Sequence, residues 1–405
     1  MKLNLIFATA TAVGLLMGSG AALAAGGNQT YLTQTGDGQS AVITQSGGSN
    51  NRVGSSGSPF VQENGAGSTG QNALTIDQNT ASAGSGNLAT GWQSGTKNNA
   101  DIDQNGNNSS VNLTQLGAHN GDPTSATWFN DLGHGNQIVQ DATANGSSVD
   151  LQQSNYIGAD RGNIFNIGQG GSNNHVTATQ TANSGQSTSA RNDLWIRQGT
   201  TAPDLWGWTN GNPFWTTGYG LSNSTITVHQ DAGTLSGTNY AALGQGAGSG
   251  NAITASQTGA SNNVDANQVG SGNIFQSQQN SADGNNGWNF VGGEAGWPST
   301  GANPLVSSNG DWQPITQWGT GNQYYSVQSG TNLQAFGNQM GNYNFLSNTQ
   351  SGDLNKLFSA QLGDSNTIYS TQSGDSNTTT VSQNLNGNTS VTSQNGTGNI
   401  AAVSQ

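Results

Sequence analysis

Residues 361–383 read QLGDSNTIYSTQSGDSNTTTVSQ, in which Gln361, Gln372 and Gln383 follow one another at intervals of eleven residues. The interval holds without a break from Gln317 to Gln405, which makes eight consecutive units. Most units share the pattern Q-x-G-x-x-N-x-φ, where φ is Ala or a larger apolar residue. A repeat of this regularity predicts a solenoid, because a unit this short cannot bury a core unless it stacks on its neighbours.

Each unit predicts one strand followed by one turn. Alternate residues of a strand share a face, so every second residue from Asn366 to Gln372 is expected to point inward. The four residues after each Gln form the turn, where Gly374 supplies the positive φ that a reversal often needs. We therefore predict an all-β, two-sheet β-solenoid with cross-β stacking and rungs of about 22 residues, each made of two 11-residue strand–turn units.

Stacking places each inward amide above its copy in the next rung, where the amide side chains are expected to hydrogen-bond along the stack in ladders or to cap backbone groups of the turns. About a dozen rungs are expected, in a column on the order of 55 Å long. The predicted ladder residues are Gln317, Asn322, Gln328, Gln339, Asn344, Gln350, Asn355, Gln361, Asn366, Gln372, Asn377, Gln383, Asn388, Gln394, Asn399 and Gln405. The predicted turn glycines are Gly319, Gly330, Gly341, Gly352, Gly363, Gly374 and Gly396.

The repeat continues upstream with interruptions. Complete or partial units there end at Gln45, Gln78, Gln93, Gln104, Gln115, Gln153, Gln169, Gln180, Gln198, Gln230, Gln245, Gln257, Gln268 and Gln279. The interruptions near 117–132, 199–221 and 280–309 contain Trp128, Trp206, Trp208, Trp215, Trp288 and Trp297. We divide the chain into a signal peptide (1–24), a short N-terminal segment (25–33), interrupted repeats with Trp-rich insertions (34–316) and regular repeats (317–405). The insertions are expected to cover the solenoid, or else to bind glycans or other surfaces through exposed aromatic rings.

The composition argues against an ordinary enzyme. Hydrophobic residues make up 31% of the 405 residues, and charged residues 7%. The formal net charge of −13 disfavours a nucleic-acid partner, and the absence of Cys removes disulfides, thiolate nucleophiles and Cys-ligated metals. The four His show no metal-ligand spacing, and the Asp-containing turns lack the spacing of calcium-binding β-rolls. We expect no catalytic residue, no metal and no cofactor.

Export is predicted by the N-terminus. Lys2 is followed by an apolar stretch, and Ala22-Leu23-Ala24 forms a small-x-small cleavage site. The apolar stretch is too short to span a membrane, and no later stretch is long enough. The protein is therefore expected to be exported without a membrane span. The last repeat ends on Gln405 and leaves a strand edge that we expect to recruit another copy.

The Q-x-G-x-x-N-x-A unit resembles the curlin repeat of curli subunits, the extracellular functional amyloids of bacteria. Gln361, Gly363, Asn366, Ile368 and Gln372 match this motif. The resemblance implies a cell-surface fibre that serves adhesion and biofilm matrix formation. It also implies self-assembly, other curlin subunits as partners, and a dedicated secretion pore with chaperones. The chain is much longer than the major curlins, and their glycine-rich pore-addressing segment is reduced to 25–33.

Two alternatives remain. One is a monomeric β-solenoid adhesin that binds carbohydrate or another surface through the Trp-rich loops. An ice-binding version is disfavoured, because the outward positions of the regular repeats include Tyr325, Phe336, Phe358 and Tyr369 rather than an array of Thr. The other is a minor or nucleating curlin subunit, in which the regular repeats act as template and the interrupted part as anchor.

Overall fold

The computed structural model describes residues 27–36, 38–47, 50–64, 72–80, 86–120, 136–155, 162–182, 191–199, 220–233, 238–259, 262–280 and 315–405. The predicted signal peptide and the six tryptophans of the insertions lie outside the described residues. Throughout the ranges above, the regular secondary structure consists of β-strands only.

Nearly all of the strands belong to two parallel sheets. Sheet A comprises β1 (Gln29–Thr30), β2 (Leu32–Thr35), β4 (Arg52–Val53), β5 (Phe60–Glu63), β7 (Leu88–Thr96), β9 (Ser110–Ala118), β11 (Ser148–Asn155), β13 (His175–Ala182), β16 (Thr225–Gly233), β19 (Ala252–Thr258), β21 (Ile274–Asn280), β23 (Gln323–Thr331), β25 (Phe345–Asp353), β27 (Thr367–Ser373) and β29 (Thr389–Asn395).

Sheet B comprises β3 (Ser40–Gly47), β6 (Ala73–Thr80), β8 (Asn99–Gln104), β10 (Gln137–Gln140), β12 (Ile164–Gln169), β14 (Arg191–Gln198), β17 (Thr238–Gln245), β20 (Asn263–Ser271), β22 (Ile315–Thr320), β24 (Gln334–Met340), β26 (Lys356–Leu362), β28 (Thr378–Gln383) and β30 (Ile400–Ser404). A small third sheet pairs β15 (Leu221–Ser222) with β18 (Gly248–Ser249). The first described rung begins at Gln29. The division of the chain made from the sequence starts the interrupted repeats later, at Gln34.

The chain alternates between the sheets, and one strand from each sheet makes a rung. Neighbouring strands within a sheet are parallel, and their register keeps equivalent repeat positions opposite one another. Gln350 lies opposite Gln372 in sheet A, and Gln361 lies opposite Gln383 in sheet B. Sheet B is thirteen strands deep. The predicted two-sheet β-solenoid is confirmed.

The core lies between the two sheets, where every second side chain points inward. One inward column of sheet B holds Ile76, Ile102, Ile138, Ile167 and Ile196, all of which are buried. β-Branched residues suit this position because they pack well on a pleated surface. The core is therefore a one-dimensional stack of short apolar rows rather than a central cluster.

Two large aromatic side chains fit this narrow core because a glycine lies opposite each of them. A Cβ built on Gly91 would lie 2.9 Å from the Phe60 ring, and one built on Gly337 would lie 2.6 Å from the Tyr324 ring. Both rings are fully buried. The missing side chain of each glycine therefore leaves room for a large ring in the core.

Seven of the eight turns of the regular repeats have left-handed backbone at two points; the turn after Gln383, with Leu385 at its third position, has it only at Gly387. The third position of the unit is usually Gly, with φ of 96° at Gly352. The fifth position is also left-handed, with φ of 53° at Asn332 and 59° at Leu354. Asn tolerates this conformation through local hydrogen bonding, whereas a non-Gly, non-Asn residue there costs roughly 1–2 kcal/mol. Leu354 is therefore strained at a position that Asn332 occupies without difficulty.

Replacing Leu354 with Asn is expected to raise the free energy of unfolding by about 1 kcal/mol, because the strain is relieved and the Leu side chain is half exposed. Urea unfolding of the monomer measures the change. Leu357→Asn is the control: Leu357 is fully buried nearby, so this variant should be strongly destabilised. If Leu354→Asn lowered the free energy of unfolding, the conclusion that Leu354 is strained would be wrong.

Candidate functional site

Two uninterrupted ladders of glutamines run through the described solenoid, one in each sheet, and all of their members are buried except Gln34, Gln45 and Gln405 at the ends. Sheet A's ladder contains Gln34, Gln62, Gln93, Gln115, Gln153, Gln180, Gln230, Gln257, Gln279, Gln328, Gln350, Gln372 and Gln394. Sheet B's ladder contains Gln45, Gln78, Gln104, Gln140, Gln169, Gln198, Gln245, Gln268, Gln317, Gln339, Gln361, Gln383 and Gln405.

The side chain of Gln361 makes the bonds typical of a ladder residue. Its Oε1 accepts from Nε2 of Gln339 at 2.9 Å, and its Nε2 donates to Oε1 of Gln383 at 3.1 Å. The same Nε2 donates to the carbonyl oxygen of Phe345 in sheet A at 2.9 Å. One side chain thus joins three rungs and ties the two sheets together. A fully buried amide in this setting has its polar atoms satisfied, as burial requires.

All of these amide–amide bonds point in one direction along the solenoid. In each ladder, the Nε2 of a rung donates to the Oε1 of the following rung, as from Gln317 to Gln339 and from Gln328 to Gln350. Aligned chains of hydrogen bonds polarise one another, so each added rung strengthens the bonds already made. The ladders therefore favour adding rungs in register over any shifted pairing.

The predicted asparagines occupy the junction between turn and strand. Asn344 accepts a hydrogen bond at Oδ1 from the backbone N–H of Asn366 at 3.0 Å. Its Nδ2 donates to the carbonyl of Gly363 in the following turn at 2.8 Å. These asparagines cap backbone groups that the turns would otherwise leave unpaired. The predicted asparagines that make this contact to the next rung through Oδ1 are Asn322, Asn344, Asn355, Asn366 and Asn377.

The remaining asparagine positions differ in detail. Asn388 and Asn399, in the last rungs, each donate their backbone N–H to the Oδ1 of the preceding rung. The unit that starts at Gln328 has Leu333 in place of Asn, and this Leu is fully buried. In some upstream rungs Ser fills the position: the Ser224 hydroxyl accepts from the N–H of Asn251 at 3.2 Å. A short hydroxyl can thus replace the amide as a cap.

The predicted turn glycines all have positive φ, and it ranges from 94° at Gly374 to 141° at Gly330. Their carbonyl oxygens lie close to the glycine of the neighbouring rung. A Cβ on Gly330 would lie 1.9 Å from the Gly352 oxygen. At Gly319, Gly330, Gly341, Gly352 and Gly374 both reasons require glycine, because a Cβ would also meet the backbone oxygen of the next rung's glycine; at Gly363 and Gly396 the positive φ alone favours it.

Sequence reasoning missed a third ladder, at the fourth position of the unit. The backbone N–H of Asp353 donates to Oδ1 of Asp375 at 3.1 Å, and that of Thr331 donates to Oδ1 of Asp353. On the opposite edge, Asn342 donates in the same way to Asp364 at 2.7 Å. The recurrence of Asp, Asn and Thr at this position of the sequence could have indicated this ladder. These acids, which the sequence had assigned only to turns, also join rungs.

Sequence reasoning also missed two members of the glutamine ladders, Gln62 and Gln140. Residues 54–59 interrupt the strand that contains Gln62. The segments on either side of this six-residue interruption, β4 and β5, both pair with β7. Gln140 is followed by DATAN, which lacks the glycine of the repeat. Only the pairing of the strands places these two residues in the ladders.

Three aspartates lie on the outward face of sheet B near its N-terminal end. Asp77 lies opposite Asp103 on the adjacent strand, and Asp101 lies two residues before Asp103. Partial burial, together with the charges of Asp77 and Asp101, raises the pKa of Asp103 to about 6, although a hydrogen bond from Asn105 opposes the rise. Burial also raises the pKa of Asp77. The charged forms are therefore disfavoured in the folded state.

The remaining candidates for site chemistry are scattered. His175 and His229 are exposed on the outward face of sheet A, His119 lies in a turn, and His134 is outside the described residues. Across the ranges that the structure describes, no group of three His, Asp or Glu is placed to hold a metal ion. In the same ranges, no helix is long and apolar enough to cross a membrane.

Residues 84–117 match the family model of the curlin associated repeat. The matched stretch contains Gln93, Gln104 and Gln115, which are consecutive ladder glutamines from alternating sheets. The predicted resemblance to curlin repeats is confirmed by this match. It supports a structural subunit of the curli type in general. Among the curated proteins compared with the chain, none matches it.

Replacing Gln361 with Met keeps the shape of the side chain but removes its amide. It leaves Gln339, Gln383 and the Phe345 carbonyl each short of one partner, so we expect a loss of about 3 kcal/mol in the free energy of unfolding. Urea unfolding measures it. Gln334→Met on β24, the neighbouring strand of the same sheet, where the side chain points outward, is the matched control and should change stability little. Equal losses of stability in both variants would show that the ladder hydrogen bonds do not stabilise the fold in the way described.

The raised pKa of Asp103 predicts pH-dependent stability. The unfolded carboxyl titrates near 4 and the folded one near 6, so the folded state is favoured by protonation and loses stability as the pH rises through this window. Asp103→Asn should therefore stabilise the protein at pH 7.5 and have little effect at pH 4. Urea midpoints at both pH values test this. Thr380→Asn on the outward face of the same sheet, which removes no titratable group, is the control and should show no such difference.

Proposed function

We propose that this chain, which carries the curlin associated repeat, is the subunit of an extracellular amyloid fibre that grows by adding rungs in register. The observation that carries the proposal is the continuity of both glutamine ladders through every rung of the solenoid. A stack of identical amide rows forms no closed unit, so each end is a template for the next row.

The first and last described rungs are suited to stack on each other. In sheet B, Ile43 and Val403 occupy the same inward column, two residues before Gln45 and Gln405 respectively. Both apolar side chains are only partly buried, unlike the rest of that column. Placing the first rung of one copy on the last rung of another would bury Ile on Val and align Gln45 with Gln405. The stacking that builds the solenoid would then continue between copies.

The role we propose is structural rather than catalytic. The buried polar residues are engaged mainly in holding rungs together, which leaves few of them for chemistry. Fibres at the cell surface would serve adhesion and biofilm matrix formation, after export through a signal peptide and a curli-type pore with its chaperones. Seeding of a second curlin at low concentration distinguishes the two roles: a nucleating subunit would seed it, and a major subunit would not.

Purified chain 25–405 is expected to form fibres with a lag phase that preformed seeds remove, with cross-β reflections near 4.7 and 10 Å. Thioflavin fluorescence, electron microscopy and X-ray diffraction provide the measurements. The double variant Gln361→Met/Gln383→Met, which interrupts one ladder at adjacent rungs, should lengthen the lag phase severalfold. Thr378→Ala, an outward substitution on the same sheet, should leave it unchanged.

A stable monomer with β-type circular dichroism and no fibres at high concentration would refute the proposal. The monomeric adhesin would then be the function to test, through binding of the chain to carbohydrate arrays.

A further inference from the structure

Over the first seven residues of each of its last six strands, the outward face of sheet A has no charge; the charged Asp353, which ends β25, lies beyond this stretch at the turn. The outward residues of β19, β21, β23, β25, β27 and β29 are Ala252, Thr254, Ser256, Thr258, Ile274, Gln276, Gln278, Asn280, Gln323, Tyr325, Val327, Ser329, Phe345, Ser347, Thr349, Ser351, Thr367, Tyr369, Thr371, Ser373, Thr389, Val391, Ser393 and Asn395. We call this surface the uncharged face. In a chain with a net charge of −13, such a face is where a second copy meets the least repulsion.

The uncharged face is also apolar at its centre. The rings of Tyr325 and Phe345 have centroids 5.6 Å apart, and those of Phe345 and Tyr369 are 5.3 Å apart. Val391 is 72% exposed and Tyr369 is 47% exposed. Aromatic and aliphatic groups that remain exposed on a flat sheet favour burial against another surface.

Sheet B also has an outward aromatic pair, Phe336 and Phe358, with ring centroids 5.2 Å apart, but its outward face is not free of charge. Between β12 and β17 its outward residues Ile164, Asp193 and Ala242 are already buried. Further along, Lys356 lies on its outward face. Sheet A has exposed or half-buried outward residues throughout the six strands. The two faces of the solenoid are thus not interchangeable.

The size of the face indicates when pairing occurs. Six strands at about 4.8 Å and seven residues at about 3.3 Å give roughly 650 Å². A stable pair of proteins usually buries about 800 Å² on each partner, so two single molecules would pair weakly. In a fibre the uncharged face recurs once per copy. Once one pair of faces is in contact, the next pair is held at a high effective concentration, so many weak contacts together hold two fibres side by side.

We propose that two fibres of this chain pair side by side through the uncharged face of sheet A, which forms a dry contact between flat sheets. The inference rests on the proposed fibre function. The partner is a second copy, because its own uncharged face matches the first in flatness, apolar centre and lack of charge. Sheets in contact this way lie about 10 Å apart, with side chains interleaved as in a steric zipper.

The test compares two double variants with the same added charge. Thr254→Lys/Thr371→Lys places two lysines on the uncharged face, at two exposed positions. Thr75→Lys/Thr380→Lys places two on the outward face of sheet B. Each lysine on the uncharged face would be buried without a partner if fibres paired there, which is unfavourable.

The measurement is the mass per unit length of the fibres by scanning transmission electron microscopy, with elongation from seeds followed by thioflavin fluorescence. We expect paired filaments from the unsubstituted chain and the sheet B variant. The sheet A variant should give single filaments of half the mass per length with unchanged elongation. Single filaments from the unsubstituted chain, or paired filaments from the sheet A variant, would overturn the inference alone. No fibres from the unsubstituted chain would overturn the proposed function as well.

Discussion

The structure depends on one constraint: a buried primary amide must have partners for both its oxygen and its nitrogen. In this narrow core, the Gln side chains meet that requirement by bonding to the same residue one rung away and to backbone of the facing sheet. A shift of one residue would turn every inward side chain outward and leave the amides without partners. Register is therefore set by hydrogen bonding, in a chain whose 31% hydrophobic content could not set it by packing alone.

The same constraint explains how the solenoid accommodates irregular sequence. Interruptions lie at turns or, as between β4 and β5, inside a strand of sheet A, yet Gln62 still reaches Gln93 at 2.8 Å. Core residues vary from Gly337 to Tyr324, and Ser224 replaces Asn as a cap. These changes are tolerated because each rung interacts only with its neighbours, so a defect is not transmitted along the stack.

Charge is arranged so that stacking remains possible. In the regular repeats Asp353, Asp364 and Asp375 lie in turns, where their carboxylates accept backbone hydrogen bonds from the preceding rung. Asp77 and Asp103, by contrast, face each other on neighbouring strands. Burial raises the pKa of both, and the charge of Asp77 adds to the rise in the pKa of Asp103. None of these five aspartates belongs to the uncharged face of sheet A.

The eleven-residue period was by itself sufficient to predict the two-sheet solenoid, the inward face of each strand and the ladder positions from Gln317 to Gln405. A strict period, together with the alternation of side chains along a strand, places the same residue of every unit at an equivalent inward position. The tertiary structure decided what depends on neighbours far apart in sequence. Gln62 and Gln140 enter the ladders and Asp103 meets Asp77 only through strand pairing, and Gly337 makes room for Tyr324 only because the two sheets face each other. Interruptions of variable length separate many such partners, so sequence spacing does not reveal which residues come to lie one rung apart. The left-handed fifth turn position, where Leu354 is strained, likewise follows from how each turn must reverse to place the next strand in register.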